Sequence, residues 1–276
     1  MSMRMDITSF NEREGLIIDF MFELFKTDLP VVLKGNISTR LYCILNNSTH
    51  FRETKDIDLN FLSRVKDTGI AVRELNNVIH KINSGYNFRL FREFVENETT
   101  AGLELLDEDD SSLFTIDLDF KGTNTMNFIV IDNINIKTVS AYETFCDKLS
   151  VVSTKQGSGR RFKDFIDLYI FLTIMDFDYN FLKSYLDDFK VPLGDFHTLY
   201  NEYDVYEHTF SKFSGIVGNF NLRDMMEVVR KFCLPFIYIP FKYEGVWSHK
   251  GLEWVEENVY LNPIEQLKRM NEGKLK

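Results

Sequence analysis

The chain has 276 residues, 44% hydrophobic and 14% aromatic with 26 Phe, enough for one large domain or two small ones with thick aromatic packing. Its net charge of −10 opposes general affinity for a polyanion, because Lys and Arg supply the nonspecific part of nucleic-acid binding, so an RNA partner needs a local basic patch. No apolar run approaches the roughly 20 residues of a membrane span, and MSMRMDITSF lacks the apolar core of a signal peptide; a cytoplasmic protein without membrane association is expected.

In chain order, Leu16, Ile17, Phe20, Met21, Leu24 and Phe25 form a helical stripe within Glu12 to Lys26, predicted to cover a sheet. Val31 to Leu33 is a short apolar run that stops at Lys34-Gly35-Asn36. An amphipathic segment follows, with Ile37, Leu41, Ile44 and Leu45 on one side, so the reading is strand, glycine turn, helix. Such a turn offers free backbone N–H groups and the positive end of a helix dipole, which together hold phosphate. Asp56-Ile57-Asp58-Leu59-Asn60-Phe61 then alternates at period two, placing Asp56, Asp58 and Asn60 on one strand face. Aspartates at i and i+2 lie about 7 Å apart at Cα, and both can reach one or two divalent cations. A phosphate site beside a metal site suggests a nucleoside triphosphate.

A helix is predicted in the second half of Arg64 to Ile82, then strands over Tyr86 to Val95, Thr99 to Leu106 and Leu113 to Phe120. The acidic run Asp107 to Asp110 reads as a solvated loop. In the third of these strands Asp117 and Asp119 share a face with Thr115, which marks either a solvent-facing strand or a functional face. A hairpin is predicted over Phe128 to Val139, then a helix over Tyr142 to Val152. There Lys148 interrupts the apolar side, and spacing alone predicts a lysine that snorkels to solvent.

The segment KQGSGRRFKDFIDL places Lys155, Arg160, Arg161 and Lys163 around a Gly157-Ser158-Gly159 joint, the densest basic cluster in the chain. It leads into an apolar helix, Phe162 to Met175, in which Asp164 and Asp167 share a face. Those two acids either pair with the neighbouring bases or serve a function. Helices follow over Tyr179 to Phe189, Phe196 to Tyr203, Val205 to Phe213 and Leu222 to Phe232. Pro235, Pro240 and Gly245 are predicted to break the end into an aromatic connector before Trp247 and Trp254, with a last helix from Pro263 to Asn271. Strands give way to helices near 140–155, which predicts an α/β lobe over 1–140 and a helical lobe over 141–276. Cys43, Cys146 and Cys233 are far apart and set in apolar helical patterns, so buried thiols are expected, and the five histidines show no zinc-ligand spacing.

The ordered set LKG-x-x-x-x-R-L, T-K-D-I-D-L, T-I-D-L, the helical Lys148 and R-x-K-D-x-x-D-L spans roughly Leu33 to Leu172. It resembles the nucleotidyltransferase AbiEii/AbiGii toxin family of the DNA polymerase β-like superfamily, with Asn36 where that family usually has Gly or Ser. The resemblance implies an α+β fold: a polymerase β-like lobe with a mixed sheet, followed by a mainly helical C-terminal lobe. It implies two Mg²⁺ ions on Asp56 and Asp58, with a third carboxylate from Asp117 or from Asp119. Lys34, Gly35, Asn36 and Thr54 would orient the phosphates, Lys148 would counter charge on the triphosphate, and Asp167 would be a functional acid.

The implied reaction transfers a nucleotide from an NTP to an RNA acceptor, often the end of a tRNA, which the basic cluster would hold. The implied setting is a type IV toxin–antitoxin or phage-defence system with a separately encoded antitoxin. Two rival readings stay open. One is transfer to a protein or small molecule, which the acidity favours; the other is a noncatalytic nucleotide-binding protein, which loss of the metal acids would support.

Overall fold

The structure, a computed structural model, describes residues 11–62, 66–93, 100–120, 122, 125–154, 161–238 and 245–255. The chain divides into two compact units, Met1–Thr144 with Gly215–Gly218, and Phe145–Ser214 with Asn219–Lys276. No described helix is long and apolar enough to cross a membrane.

The first unit runs α1 (Glu12–Phe25), β1 (Val31–Lys34), α2 (Gly35–Leu45), β2 (Phe51–Arg52), β3 (Asp56–Phe61), α3 (Thr68–Ile79), β4 (Asn87–Glu93), β5 (Thr100–Leu106), β6 (Ser112–Asp119), β7 (Asn127–Ile131), β8 (Ile134–Thr138) and the opening of α4 (Ala141–Thr154). Seven strands form one mixed sheet in the order β4-β5-β6-β3-β1-β8-β7, so the fold class is α+β, as expected. β3 runs parallel to β6 and β1 parallel to β8; the remaining neighbours are antiparallel. The period-two alternation produces two unlike faces. Ile57, Leu59, Leu103, Leu105, Ile116 and Leu118 are buried, whereas Asp56, Asp58, Asp117 and Asp119 keep partial exposure on the other side. Phe20 of α1 packs edge-on to Phe88 at 5.2 Å between ring centroids and lies 5.9 Å from Phe114, which anchors the helix to the sheet.

A polar device fixes the approach to β3. Asn11 caps α1 by accepting from Glu14 N at 2.9 Å, and the Glu14 side chain turns inward, where Oε1 accepts from Thr54 N at 2.8 Å. Arg40 is also buried, its guanidinium 3.2 Å from the Phe51 ring centroid. Burial pushes the Glu14 carboxyl up, against the pull of the Thr54 N–H and of Arg40. The β2 strand, which sequence patterning did not foresee, pairs with β10 (Ile216–Val217).

The second unit holds the rest of α4, then α5 (Phe162–Ile174), β9 (Phe177–Asp178), α6 (Tyr179–Asp188), α7 (His197–Asn201), α8 (Tyr203–Lys212), α9 (Leu222–Tyr238), β11 (Val246–Ser248) and β12 (Glu253–Val255). Its core is aromatic: Phe145 stacks on Phe177 at 4.0 Å, meets Phe232 edge-on at 5.2 Å, and the fully buried Trp247 donates from Nε1 to Leu172 O at 2.9 Å. One expectation is corrected here. Helix α9 continues through Pro235 to Tyr238, because a proline near a helix end removes only one hydrogen bond, to the carbonyl of Lys231. Trp247 and Trp254 lie opposite each other in a β11–β12 hairpin, which sequence patterning did not foresee. Pro240 and the helix expected from Pro263 to Asn271 lie outside the described residues.

The Glu14 carboxyl, pushed up by burial, makes stability depend on pH. A group whose folded pKa exceeds its unfolded one loses stabilising power as pH rises through the interval between them. Glu14→Gln keeps an acceptor for Thr54 N and removes the titration. Its stability relative to the parent, measured by urea unfolding, should therefore increase as pH rises from the ordinary carboxylate range. A difference independent of pH would contradict this reading.

Candidate active site

Strand register assembles the site. In β1 and β3, Lys34 stands opposite Asp58; in β3 and β6, Asp56, Asp58 and Asn60 stand opposite Thr115, Asp117 and Asp119. Asp117 is opposite Gly102 of β5, and Gly102 is opposite Arg92 of β4. One row therefore crosses the sheet as Lys34, Asp58, Asp117, Gly102, Arg92. Neighbouring strands lie about 4.8 Å apart, so Asp58 and Asp117 are immediate neighbours on the acidic face. Asp119 is level with Asn60 instead, and its Oδ2 accepts from Lys34 Nζ at 3.1 Å.

The glycine turn is locked to this row. Gly35 has φ +65°, the left-handed region that penalises a side chain, and it opens α2 directly from Lys34. A Cβ added at Gly35 would overlap the Asp58 carboxylate, which lies against the Gly35 backbone. Asp58 thus sits at the positive end of α2, whose first turn the Lys34 side chain does not cap. Asn36 and Thr54, expected beside the phosphates, are buried and bonded together. Asn36 Nδ2 donates to Thr54 Oγ1 and, at 3.0 Å, to Glu53 O. With the Glu14 bond to Thr54 N, they fix the loop that delivers Asp56 and Asp58 into β3.

Arg92 and Gly102 escaped the sequence reading. An Arg92 terminal guanidinium N–H donates to Asp117 Oδ1 at 2.6 Å, reaching across the strand position that Gly102 leaves bare. A Cβ at Gly102 would come within 2.9 Å of the Phe91 ring and 3.2 Å of Arg92 Nε. The available signal was a glycine in mid-strand, which marks a close approach by something else.

The chemistry of this face is that of oxygen donors flanked, among the described residues, by Lys34 and Arg92. Among the described residues, no three Asp, Glu, His or Cys side chains converge as a ready-made metal cage, since Arg92 draws on Asp117 and Lys34 on Asp119. The donor set nevertheless fits a hard divalent cation: Asp56 and Asp58 share a strand face with Asp117 level beside them. On the same face Asn60 Oδ1 is buried with no hydrogen-bond partner among the described residues, which marks a polar face built for more than packing.

Lys148, Asp164 and Asp167 belong to the second unit and form a cluster of their own. Lys148 Nζ lies 2.8 Å from Asp164 Oδ1 and 3.2 Å from Asp167 Oδ2, with Asp167 fully buried and only 12% of the Lys148 side chain exposed. Lys148 therefore does not snorkel, because two carboxylates inside the helix pair hold its ammonium there. Arg161 Nη1 approaches Asp164 Oδ2 at 3.4 Å from the exposed side. Lys163 is half-buried, and Lys155, Gly157, Ser158, Gly159 and Arg160 lie outside the described residues.

Removing Lys148 would take the shared cation from two buried carboxylates. Lys148→Ala should cost about 3–5 kcal/mol of stability, read as a shift of the urea midpoint, and adding Asp164→Asn and Asp167→Asn should recover part of it. A loss within the ~0.5 kcal/mol of an ordinary surface substitution would show the cluster to be unimportant for folding.

Comparison with solved structures finds JHP933 from Helicobacter pylori at 16% identity and TM-score 0.49, covering 79% of this chain and 89% of that one. An antigenic nucleotidyltransferase-like protein from Paracoccidioides brasiliensis matches at 18% identity and TM-score 0.37, covering 58% and 75%. The antibiotic-resistance factor ANT(2'')-Ia matches at 12% identity and TM-score 0.40, covering 72% and 96%. A search of curated proteins finds no match. The family model "Nucleotidyl transferase AbiEii toxin, Type IV TA system" matches residues 20–225, well over half of the chain. With the glycine turn, the Asp56/Asp58 strand and the Asp117 strand all inside that match, the chain belongs to the AbiEii toxin family of nucleotidyltransferases.

Proposed function

We propose that the acidic face of the sheet binds an NTP with Mg²⁺ and transfers its nucleotide to a hydroxyl of an RNA acceptor, tRNA among the candidates. In this reading the chain is a toxin restrained by a separately encoded antitoxin. The observation that carries the site assignment is the contact of the Asp58 carboxylate with Gly35 at the start of α2, with Asp117 level beside it. It puts oxygen donors for a cation next to backbone N–H groups for a phosphate.

Asp56, Asp58 and Asp117 would hold the Mg²⁺, which when bound offsets the charge of the triphosphate. The opening N–H groups of α2 and the Lys34 ammonium draw the phosphates to the turn. Asn36 and Thr54 act one step back, by fixing the loop that aims Asp56 and Asp58. The acceptor hydroxyl attacks the α-phosphorus; the new O–P bond forms as the bond to pyrophosphate breaks, and the hydroxyl proton passes to the Asp117 carboxylate. Asp117 must leave Arg92 to do so, and the released guanidinium is then available to phosphate oxygens. The net charge of −10 favours a second acceptor class, a protein or a small molecule.

An assay with α-labelled NTPs on total RNA and total protein tests both parts. Asp58→Asn should lower transfer by on the order of 10²-fold or more, since several kcal/mol of charge stabilisation are lost, with an unchanged melting temperature. Label in RNA supports the proposed acceptor, label confined to protein supports the rival, and a fully active Asp58→Asn protein would refute the site.

Gly35→Ala should be nearly as inactive and should also lose about 1–2 kcal/mol of stability from the left-handed backbone alone. An active, stable Gly35→Ala protein would mean that the turn and the carboxylate are not coupled.

A further inference from the structure

The second unit contains a cavity of about 740 Å³ between α9 and the α7–α8 corner, within the usual range of small-molecule sites. Arg223, Glu227, Arg230 and Lys231 lie at i, i+4, i+7 and i+8 of α9, so a single helical stripe forms one wall. Tyr200 at the end of α7 and Tyr203 at the start of α8 line the other.

The base of the cavity is pre-organised. Tyr200 Oη donates to Arg230 O at 2.6 Å, Arg230 Nε donates to Leu199 O at 2.8 Å, and the guanidinium carbon lies 5.8 Å from the Tyr200 ring centroid. These bonds hold a tyrosine face and a cation in fixed relation before a ligand arrives. At the rim, Arg223 and Lys231 are exposed. Lys231 is only 3.7 Å from the exposed Glu253, and the Arg223 side chain has no ion-pair partner among the described residues.

Arg223, Arg230 and Lys231 against Glu227, with Glu253 beside Lys231, still leave the described charges here positive by one in a chain of net charge −10. An apolar ligand would not need the arginines, and a bare anion would not need the tyrosines. Planar aromatic faces with guanidinium groups beside them match one ligand chemistry, an aromatic base joined to a phosphate.

We propose that this cavity is a second nucleotide-binding site, in which a base stacks on Tyr203 and Tyr200 while its phosphate is met by Arg223 and Lys231. The proposal goes beyond the acidic-face chemistry and does not depend on it. Two sources share this ligand chemistry: a free nucleotide, or one residue of a single-stranded RNA.

The test is binding by the full chain in EDTA, which removes any Mg²⁺-held nucleotide. AMP is followed by calorimetry and a fluorescein-labelled single-stranded RNA octamer by anisotropy. Tyr203→Ala should weaken binding by about tenfold or more, the scale of losing one base stack, and Arg223→Gln should weaken it and flatten its salt dependence. Both changed residues are partly or fully exposed, so the melting temperature should hold. If AMP and the octamer both bind and both respond to the variants, the free nucleotide is a ligand; if only the octamer does, the ligand is an RNA chain. Absence of binding by the parent protein, or equal binding by folded Tyr203→Ala and Arg223→Gln proteins, would overturn the proposal.

Discussion

The contact between the Asp58 carboxylate and the bare backbone of Gly35 is the constraint on which the proposed chemistry of the first unit depends. It makes the glycine turn and the Asp56/Asp58 strand into a single object, because neither β1–α2 nor β3 can shift without moving the other. The left-handed φ of Gly35 and the absence of a Cβ are needed together. Parallel pairing of β3 with β6 then brings Asp117 level with Asp58. On that face, among the described residues, Asp117 pairs with Arg92 and Asp119 with Lys34, and in the proposed chemistry a divalent cation would join Asp56, Asp58 and Asp117.

Each unit also buries charged side chains. Glu14 accepts from Thr54 N and secures the loop before β3, and the ion-paired cluster of Lys148 with Asp164 and Asp167 ties α4 to α5. Such clusters add little net stability compared with apolar packing, yet breaking one partner is expensive. They therefore fix which arrangement forms more than how firmly it forms. In the second unit the aromatic core around Phe145, Phe177, Phe232 and Trp247 supplies the burial that offsets the desolvation of the Lys148 cluster.

Much of this was legible in the chain. The alternation in Asp56 to Phe61 and in Leu113 to Phe120 marked both acidic strand faces, and Lys34-Gly35-Asn36 marked the turn, because local periodicity is what a strand or helix requires. Register was not legible. Nothing local says that Asp117 rather than Asp119 stands beside Asp58, since that depends on which strands pair and where. Arg92 was invisible for the same reason, as its partner lies two strands away across Gly102. Lys148 misled through its spacing: an apolar helix face with one lysine predicts snorkelling unless the buried acids of a distant helix are known to meet it.

Calorimetric titration with a non-hydrolysable NTP, with and without Mg²⁺, tests whether the acidic face holds a metal-bound nucleotide. Nucleotide binding should strengthen at least about tenfold when Mg²⁺ is present, and Asp56→Asn should abolish this Mg²⁺ dependence while the protein stays folded. Tight nucleotide binding that is indifferent to Mg²⁺ and to Asp56→Asn would contradict that assignment.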